Sequence, residues 1–396
     1  MENNIPKLRF PEFEGEWEHK RLEEVANKRI KKNTDNQINN VFTNSAINGI
    51  VNQRDYFDKD IANQNNLTGY YIVEKNDFVY NPRISNFAPV GPISRNHLDS
   101  GVMSPLYSVF RFNKGNLEFI EYFFGTKIWH KHMEDIANYG ARADRMSFSV
   151  GDFYKMPIPL PTLHEQTKIV NFLTTVDDKI IQLKKKNELL EQYKKGVMQK
   201  IFSQELRFKD ENGEDFTEWE EKKLGDVATF INGKAYKQEE LLVYGKYPVL
   251  RVGNFFSNNN WYYSDLELDD DKYCESGDLL YAWSASFGPK IWDGNKTIYH
   301  YHIWKVVCSE IAHMNYLFYV LDDQTLKMKT NNSNGFALIH ITKGTIENWL
   351  ISLPSLPEQT KIANFLSAID DKISNCGMQI EKMEVWKKGL LQQMFV

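Results

Sequence analysis

Leu160-Pro161-Thr162-Leu163-His164-Glu165-Gln166-Thr167-Lys168-Ile169 returns later in the chain as Leu353-Pro354-Ser355-Leu356-Pro357-Glu358-Gln359-Thr360-Lys361-Ile362. The correspondence continues through Asn171-Phe172-Leu173 with Asn364-Phe365-Leu366, Asp177-Asp178-Lys179-Ile180 with Asp370-Asp371-Lys372-Ile373, and Lys194-Lys195-Gly196 with Lys387-Lys388-Gly389. From Ile158–Phe202 to Ile351–Phe395 the offset is constant and gap-free (351 − 158 = 193). About half of the positions are identical, far beyond chance, so the chain is a tandem repeat.

Each copy opens on prolines: Pro157, Pro159 and Pro161 in the first, Pro354 and Pro357 in the second. Proline is excluded from helix interiors, so an extended stretch is expected first and a helix just after it. From there Ile169, Leu173, Val176, Ile180, Leu183, Asn187, Leu190, Lys194, Val197 and Ile201 alternate spacings of four and three, a heptad seam. The second copy keeps it with Ile362, Leu366, Ile369, Ile373, Cys376, Ile380, Met383, Lys387, Leu390 and Met394. Asn187 and Lys194 fall on the seam, where a polar side chain weakens packing but selects register or partner. A helix of some 35 residues is about 50 Å long and is seldom stable alone in water. The nearest partner is its own copy, paired antiparallel through Ile169, Leu173, Val176 and Ile180 and through Ile362, Leu366, Ile369 and Ile373, with a globular domain at either end. Packing of each helix on its own domain, or on a second chain, is the alternative.

The halves also begin alike. Leu8-Arg9-Phe10 recurs as Leu206-Arg207-Phe208, and Glu16-Trp17-Glu18, Leu22 and Val25-Ala26 recur as Glu218-Trp219-Glu220, Leu224 and Val227-Ala228. Between start and end the likeness fades, surviving where Asn76-Asp77-Phe78-Val79-Tyr80 faces Gly277-Asp278-Leu279-Leu280-Tyr281, a polar turn leading into an apolar strand. A fixed frame with a divergent interior fits a duplicated scaffold carrying two specificities; duplication followed by drift needs no function. The expected division is a first α/β (α+β) domain over residues 1–156, a first repeated segment with its long helix over 157–205, a second domain over 206–349 and a second repeated segment over 350–396.

At 396 residues the chain has room for two or three domains. Its 42% hydrophobic and 14% aromatic content argues for packed cores and against disorder. No stretch approaches the roughly 18 apolar residues of a membrane span, and Met1-Glu2-Asn3-Asn4 carries no secretory pattern, so the expected place is the cytoplasm. Cys274, Cys308 and Cys376 are scattered and odd in number, which suggests reduced thiols rather than disulfides or a zinc site. The net charge of −5 counts against a nucleic-acid partner unless the cations cluster on one face.

Catalytic motifs are missing: no GxxxxGK[ST] phosphate loop, no HExxH and no GxSxG elbow occur. Asn81-Pro82-Arg83-Ile84 departs at two of four positions from the Asn/Asp-Pro-Pro-aromatic motif of amino-methyltransferases, and no glycine-rich cofactor loop accompanies it. Asp269-Asp270-Asp271 reads as a solvated turn. The chain reads as non-catalytic, with no metal and no cofactor of its own.

The two Leu-Pro-x-Leu-x-Glu-Gln-x-Lys-Ile segments, each opening a long helix and each preceded by a variable domain, resemble the specificity subunit of type I restriction–modification systems, over the whole chain in order. The resemblance implies two α/β target-recognition domains joined by two long helices packed as an antiparallel coiled coil with a pseudo-twofold repeat. It implies that each domain reads one half of a bipartite double-stranded DNA site, and that the chain binds two methyltransferase subunits which recruit ATP-dependent translocating nuclease subunits. S-adenosylmethionine, ATP and Mg would then belong to those partners. Half-sites about one helical turn, roughly 34 Å, apart suit the helix length. A coiled-coil scaffold that bridges two partners without reading DNA is the competing class, favoured slightly by the acidic balance; a self-contained enzyme lacks motif support.

Candidate DNA contacts in the first domain are Asn81, Arg83, Ser85 and Asn86, since Asn and Arg suit bidentate pairing with adenine and guanine edges. Arg142 and Arg145 lie in the small-residue stretch Gly140-Ala141-Arg142-Ala143-Asp144-Arg145. In the second domain the analogous places supply Ser284, Ser286 and Lys290 and then Asn331, Asn332 and Asn334, with Lys234, Lys237, Arg251 and Asn254 as weaker additions. For each, a solvated loop or a fold-stabilising hydrogen bond is the plain alternative. Trp283 reads equally as core, and Asn44, Ser45 and Arg54 cannot be ranked.

Overall fold

The computed structural model describes residues 4–56, 67–138, 144–284, 286–331 (at 331 the backbone alone) and 341–396. The chain divides into two compact units, residues 1–184 with 378–396 and residues 185–377. The domain expected over 1–156 lies in the first unit and that over 206–349 in the second.

In the first unit a two-stranded antiparallel ribbon pairs Glu18–Arg21 with Pro157–Leu160, so the beginning of the domain is bonded to its end. The prolines are accommodated because a two-stranded ribbon leaves half of its N–H positions without a ladder partner. A four-stranded antiparallel sheet follows, in the order Ala26–Lys28, Ser108–Phe112, Phe78–Tyr80, Ile93–Arg95. Smaller pairs, Phe42–Ser45 with Gly49–Asn52 and Tyr71–Val73 with Gly101–Met103, form a second layer. Phe78, Phe110, Phe119, Phe123 and Phe153 fill the core.

The second unit repeats the plan. Glu220–Lys223 pairs with Leu350–Leu353. Its four-stranded sheet has the same order: Ala228–Asn232, Ile303–Cys308, Leu279–Ser284, Ser286–Ile291. A second sheet combines Tyr262–Ser264, Tyr247–Leu250, Thr297–Tyr299 and Tyr273–Cys274. The turn before the third-placed strand is equivalent in both units: Asn76 and Gly277 have φ of 73° and 98°. The aspartate that follows accepts a backbone N–H three residues back and pairs with a cation, Arg111 for Asp77 and Lys305 for Asp278, at 2.7 Å in each case.

The long helices span Leu163–Phe202 and Leu356–Met394, 40 and 39 residues, longer than the seam alone predicts. Pro357 stands inside the second helix rather than before it; in the first turn its missing N–H would have had no intrahelical partner anyway. Ile169, Leu173, Val176 and Ile180 are buried in one cluster with Leu390, Met394 and Phe395 and with the aromatic core of the first unit. Ile362, Leu366 and Ile369, with Ile373 partly buried beside them, share the core of the second unit with Val197, Met198 and Ile201. In each unit, then, the helices pack on one another and on the domain at once. The pairing is antiparallel: Asp177 meets Lys387 at 2.5 Å and Lys184 meets Glu384 at 2.6 Å in the first unit, and Lys194 meets Asp370 at 2.6 Å in the second. Among the described residues the Asp177–Lys387 and Asp370–Lys194 pairs occupy equivalent repeat positions. Each aspartate also accepts a tyrosine O–H, from Tyr122 at 2.8 Å and from Tyr319 at 2.7 Å.

The Glu-Gln dipeptide of the repeat fastens these parts. Glu165, 2% exposed, accepts from Arg9 Nε at 2.7 Å, Arg9 Nη2 at 2.9 Å and Trp17 Nε1 at 3.1 Å. Glu358, fully buried, accepts from Arg207 Nε at 3.3 Å, Arg207 Nη2 at 3.0 Å and Trp219 Nε1 at 2.9 Å. Gln166 donates to Pro161 O and accepts from Asn116 N, the cap of helix Leu117–Phe124. Gln359 donates to Pro354 O and accepts from His313 N, just before helix Met314–Asn331.

Removing a buried carboxylate strands an arginine and an indole N–H that it paired. Glu165→Ala and Glu358→Ala are each expected to lower unfolding free energy by about 3 kcal/mol, read from urea denaturation midpoints. Asp177→Asn, at a partly exposed pair, should cost no more than about 1 kcal/mol.

Candidate nucleic-acid interface

In the first unit the buried strand Phe78–Tyr80 runs out into a loop that returns at Ile93. The loop is held from beneath. Tyr80 Oη donates to Val90 O at 2.8 Å, Asn81 N to Pro92 O at 3.0 Å and Asn44 Nδ2 to Val79 O at 2.7 Å. Gly91, with φ of 80°, lies so close that a Cβ would stand 2.1 Å from Asn81 O. Asn81 is buried, donates Nδ2 to Asn44 O at 2.9 Å and accepts Arg83 N on Oδ1 at 3.0 Å. Its amide is therefore spent on shaping the loop. Asn44, unranked by the sequence, is its buried counterpart.

That shaping presents Arg83. Its backbone bridges Arg145, with Ile84 N donating to Asp144 O at 3.2 Å and Met146 N to Pro82 O at 2.8 Å. Both arginines line a cleft of about 180 Å³ together with Asn81, Thr43, Gln53 and Tyr107. Arg83 is exposed and makes no ion pair among the described residues. Arg145 is half-buried, 3.5 Å from Asp144, and its Nε has no hydrogen-bond partner. Ser85 accepts Ala88 N and closes a turn, whereas Asn86 is exposed beside Phe87 on a larger cleft of about 600 Å³ that also takes in Lys127, His130 and Lys388. Burial, and then the charge of Lys127, holds the His130 imidazole below its ordinary pKa. Arg142 lies outside the described residues.

In the second unit the strand placed like Phe78–Tyr80 is Leu279–Ser284, and it pairs antiparallel with Ser286–Ile291, Ser284 opposite Ser286. Ser284 is buried and Ser286 exposed at that tip, while Lys290 stands near the other end of its strand, 3.7 Å from Asp293. Lys234 is committed to both carboxylate oxygens of Glu240 at 2.8 Å, which holds that carboxyl below its ordinary pKa. Lys237 is exposed, 3.8 Å from Glu239. Arg251 lies over the Tyr262 ring at 4.3 Å, and Asn254 is buried, donating to Asn258 O and Asn260 O. Asn331 ends helix Met314–Asn331, with only its backbone described; Asn332 and Asn334 lie outside the described residues.

Of the sequence candidates among the described residues, Asn81, Arg83 and Arg145 line one cleft together. The residues the sequence passed over sit on the connectors leading into the second-placed strand: Tyr107 in the first unit, and His300, Tyr301 and His302 in the second. The available signal was the run Tyr299-His300-Tyr301-His302 ahead of the apolar strand Ile303–Cys308, whose alternation buries Tyr299 and exposes Tyr301.

The duplicated frame is also found by comparison with known proteins. The model of the type I restriction modification DNA specificity domain matches twice, over residues 14–192 and 217–383. The chain belongs to that family. The MjaVIII specificity subunit of Methanocaldococcus jannaschii is 29% identical over 260 residues, 60% of this chain and 61% of that one. The MjaIX specificity subunit of the same organism is 24% identical over 345 residues, 82% and 74% of the two chains. In fold, a chain from a solved type I R-M system assembly aligns with a TM-score of 0.61 at 18% identity, over 96% of this chain and 97% of that one. The S subunit from M. genitalium aligns with a TM-score of 0.54 at 15% identity over 99% of both. This is a non-catalytic specificity subunit with two DNA specificity domains, and the scaffold-only alternative falls.

Gly91→Ala forces a Cβ onto Asn81 O at a positive φ. It should destabilise by about 2 kcal/mol, read from denaturation, and blunt discrimination at the half-site served by the first unit, read by competition binding on DNA variants.

Proposed function

We propose that each unit of this specificity subunit reads one half of a split double-stranded DNA target, the first through the cleft that presents Arg83 and Arg145. The observation that carries this reading is an exposed arginine with no acidic partner among the described residues, on a loop over-determined by buried hydrogen bonds, at an edge where the two units differ. A rigid guanidinium fork pairs best with the O6 and N7 acceptors of guanine in the major groove. A net charge of −5 is compatible with this because specificity rests on a few placed donors, with phosphate attraction shared with partner chains.

The repeated helices set the distance between half-sites and offer equivalent surfaces to two methyltransferase subunits. Through these the restriction and translocation subunits join. S-adenosylmethionine, ATP and Mg act on those partners, and the assembly works in the cytoplasm. Catalysis is thereby separated from reading: changing one domain changes half of the target and leaves the chemistry untouched.

The deciding experiment is co-expression with the cognate modification subunit and single-molecule methylation mapping of host DNA. Modification at a split motif that vanishes on deletion of this chain is the expected result; a stable complex with no sequence-dependent modification would sink the reading. In the same assay Arg83→Ala should cost about 1–3 kcal/mol and relax one position of one half-site, while equal weakening on random DNA would make Arg83 a phosphate contact. Inserting seven residues between Ile181 and Lys200 should change the unread spacer, and an unaltered spacer would refute the measuring role of the helices.

A further inference from the structure

The second unit has no equivalent of the Arg83 and Arg145 pair among its described residues, yet the same place in its frame is built with care. The connector between strands Thr297–Tyr299 and Ile303–Cys308 corresponds in order to the one that carries Tyr107 in the first unit. It is held on several sides. Lys234 N donates to Tyr299 O and Tyr301 N to Lys234 O, both at 3.0 Å, and Trp283 N donates to His302 O at 3.0 Å. Trp283 Nε1 donates to Tyr301 O at 2.9 Å. Gly233 packs so tightly beneath that a Cβ there would stand 2.2 Å from Tyr299 O.

A ladder of rings supports the connector from the core outward. Tyr281 stacks on Trp304 at 6.1 Å and Trp304 on Trp283 at 5.5 Å. Trp283 then meets His302 edge-on at 4.9 Å and Tyr301 at 6.0 Å. Tyr281 and Trp304 are buried, Trp283 is half-buried, and Tyr301 emerges 38% exposed, its hydroxyl without a hydrogen bond among the described residues. Burial, then His302 and Arg251, pushes His300 down to about 4, so its imidazole is neutral near pH 7 and adds no pull on phosphate. A large side chain held rigid at a surface, amphipathic and uncharged, suits direct contact with base edges and the thymine methyl more than backbone attraction.

Resting on the DNA-reading function above, we propose that Tyr301 is the specificity-determining residue of the second unit, contacting bases of its half-site through its ring face and hydroxyl. The first unit thus reads with guanidinium forks and the second with an aromatic platform, which is how one frame yields two unlike half-sites.

The test uses the complete complex with its modification subunit, carrying Tyr301→Ala or Tyr301→Phe, with methylation mapping as the readout. Tyr301→Ala is expected to reduce discrimination roughly 5- to 100-fold at one or two adjacent positions of a single half-site, with the other half-site unaltered. An unaltered motif overturns the proposal. If Tyr301→Ala abolishes modification everywhere, Tyr301→Phe decides: a motif relaxed in one half supports the proposal, while an unaltered motif, or again none, overturns it. A wild-type complex that modifies no split motif would instead defeat the DNA-reading function on which the proposal rests.

Discussion

A carboxylate buried in the first turn of each long helix holds the rest of the molecule in place. Desolvating Glu165 and Glu358 is costly unless their oxygens are filled, and each is filled by an arginine and an indole N–H from a segment about 150 positions earlier in the chain. The neighbouring glutamine does the same for the start of another helix. One dipeptide therefore ties the entry strand, the exit strand and the helix of a unit into a single joint. Everything between entry and exit is closed off by that joint, so loops within it can change length and composition without loosening the frame.

The seam between the helices adds selectivity to stability. Apolar positions alone would allow a shifted register, because neighbouring heptads offer similar surfaces. Asp177 with Lys387 and Asp370 with Lys194 break that degeneracy, and the tyrosines above them fix the carboxylate orientation. The two charge pairs occupy matching repeat positions, so each unit meets its helices in the same way. A frame this regular presents two variable edges in equivalent settings, which a subunit that reads two words with one grammar requires.

At those edges the roles of side chains depend on neighbours that sequence does not show. Asn81 has the right chemistry for adenine but is buried and consumed by its own loop; Lys234 has the right charge for phosphate but is neutralised by Glu240 six residues on. Arg83 stays available because the same loop that absorbs Asn81 turns it outward. Tyr301 could be noticed only as part of an alternating aromatic run, and its rigidity comes from Trp283, Lys234 and Gly233, which lie far from it in sequence.

The repeat and the heptad seam, and with them the resemblance to a family, were legible in the sequence alone, because periodicity and duplication are properties of order along one chain; that the helices pair antiparallel while also packing on their domains was decided by the tertiary structure. The location of the joints was also written there, in a Glu-Gln dipeptide that recurs with its prolines. Only the tertiary structure decided what those two residues grip, that Pro357 belongs to the first turn of its helix, and which arginine of a polar loop faces outward. Those outcomes depend on burial and on hydrogen-bond competition among groups distant in sequence. Such competition is settled by packing in three dimensions, where a polar side chain either meets a buried partner or is left to find one in a ligand.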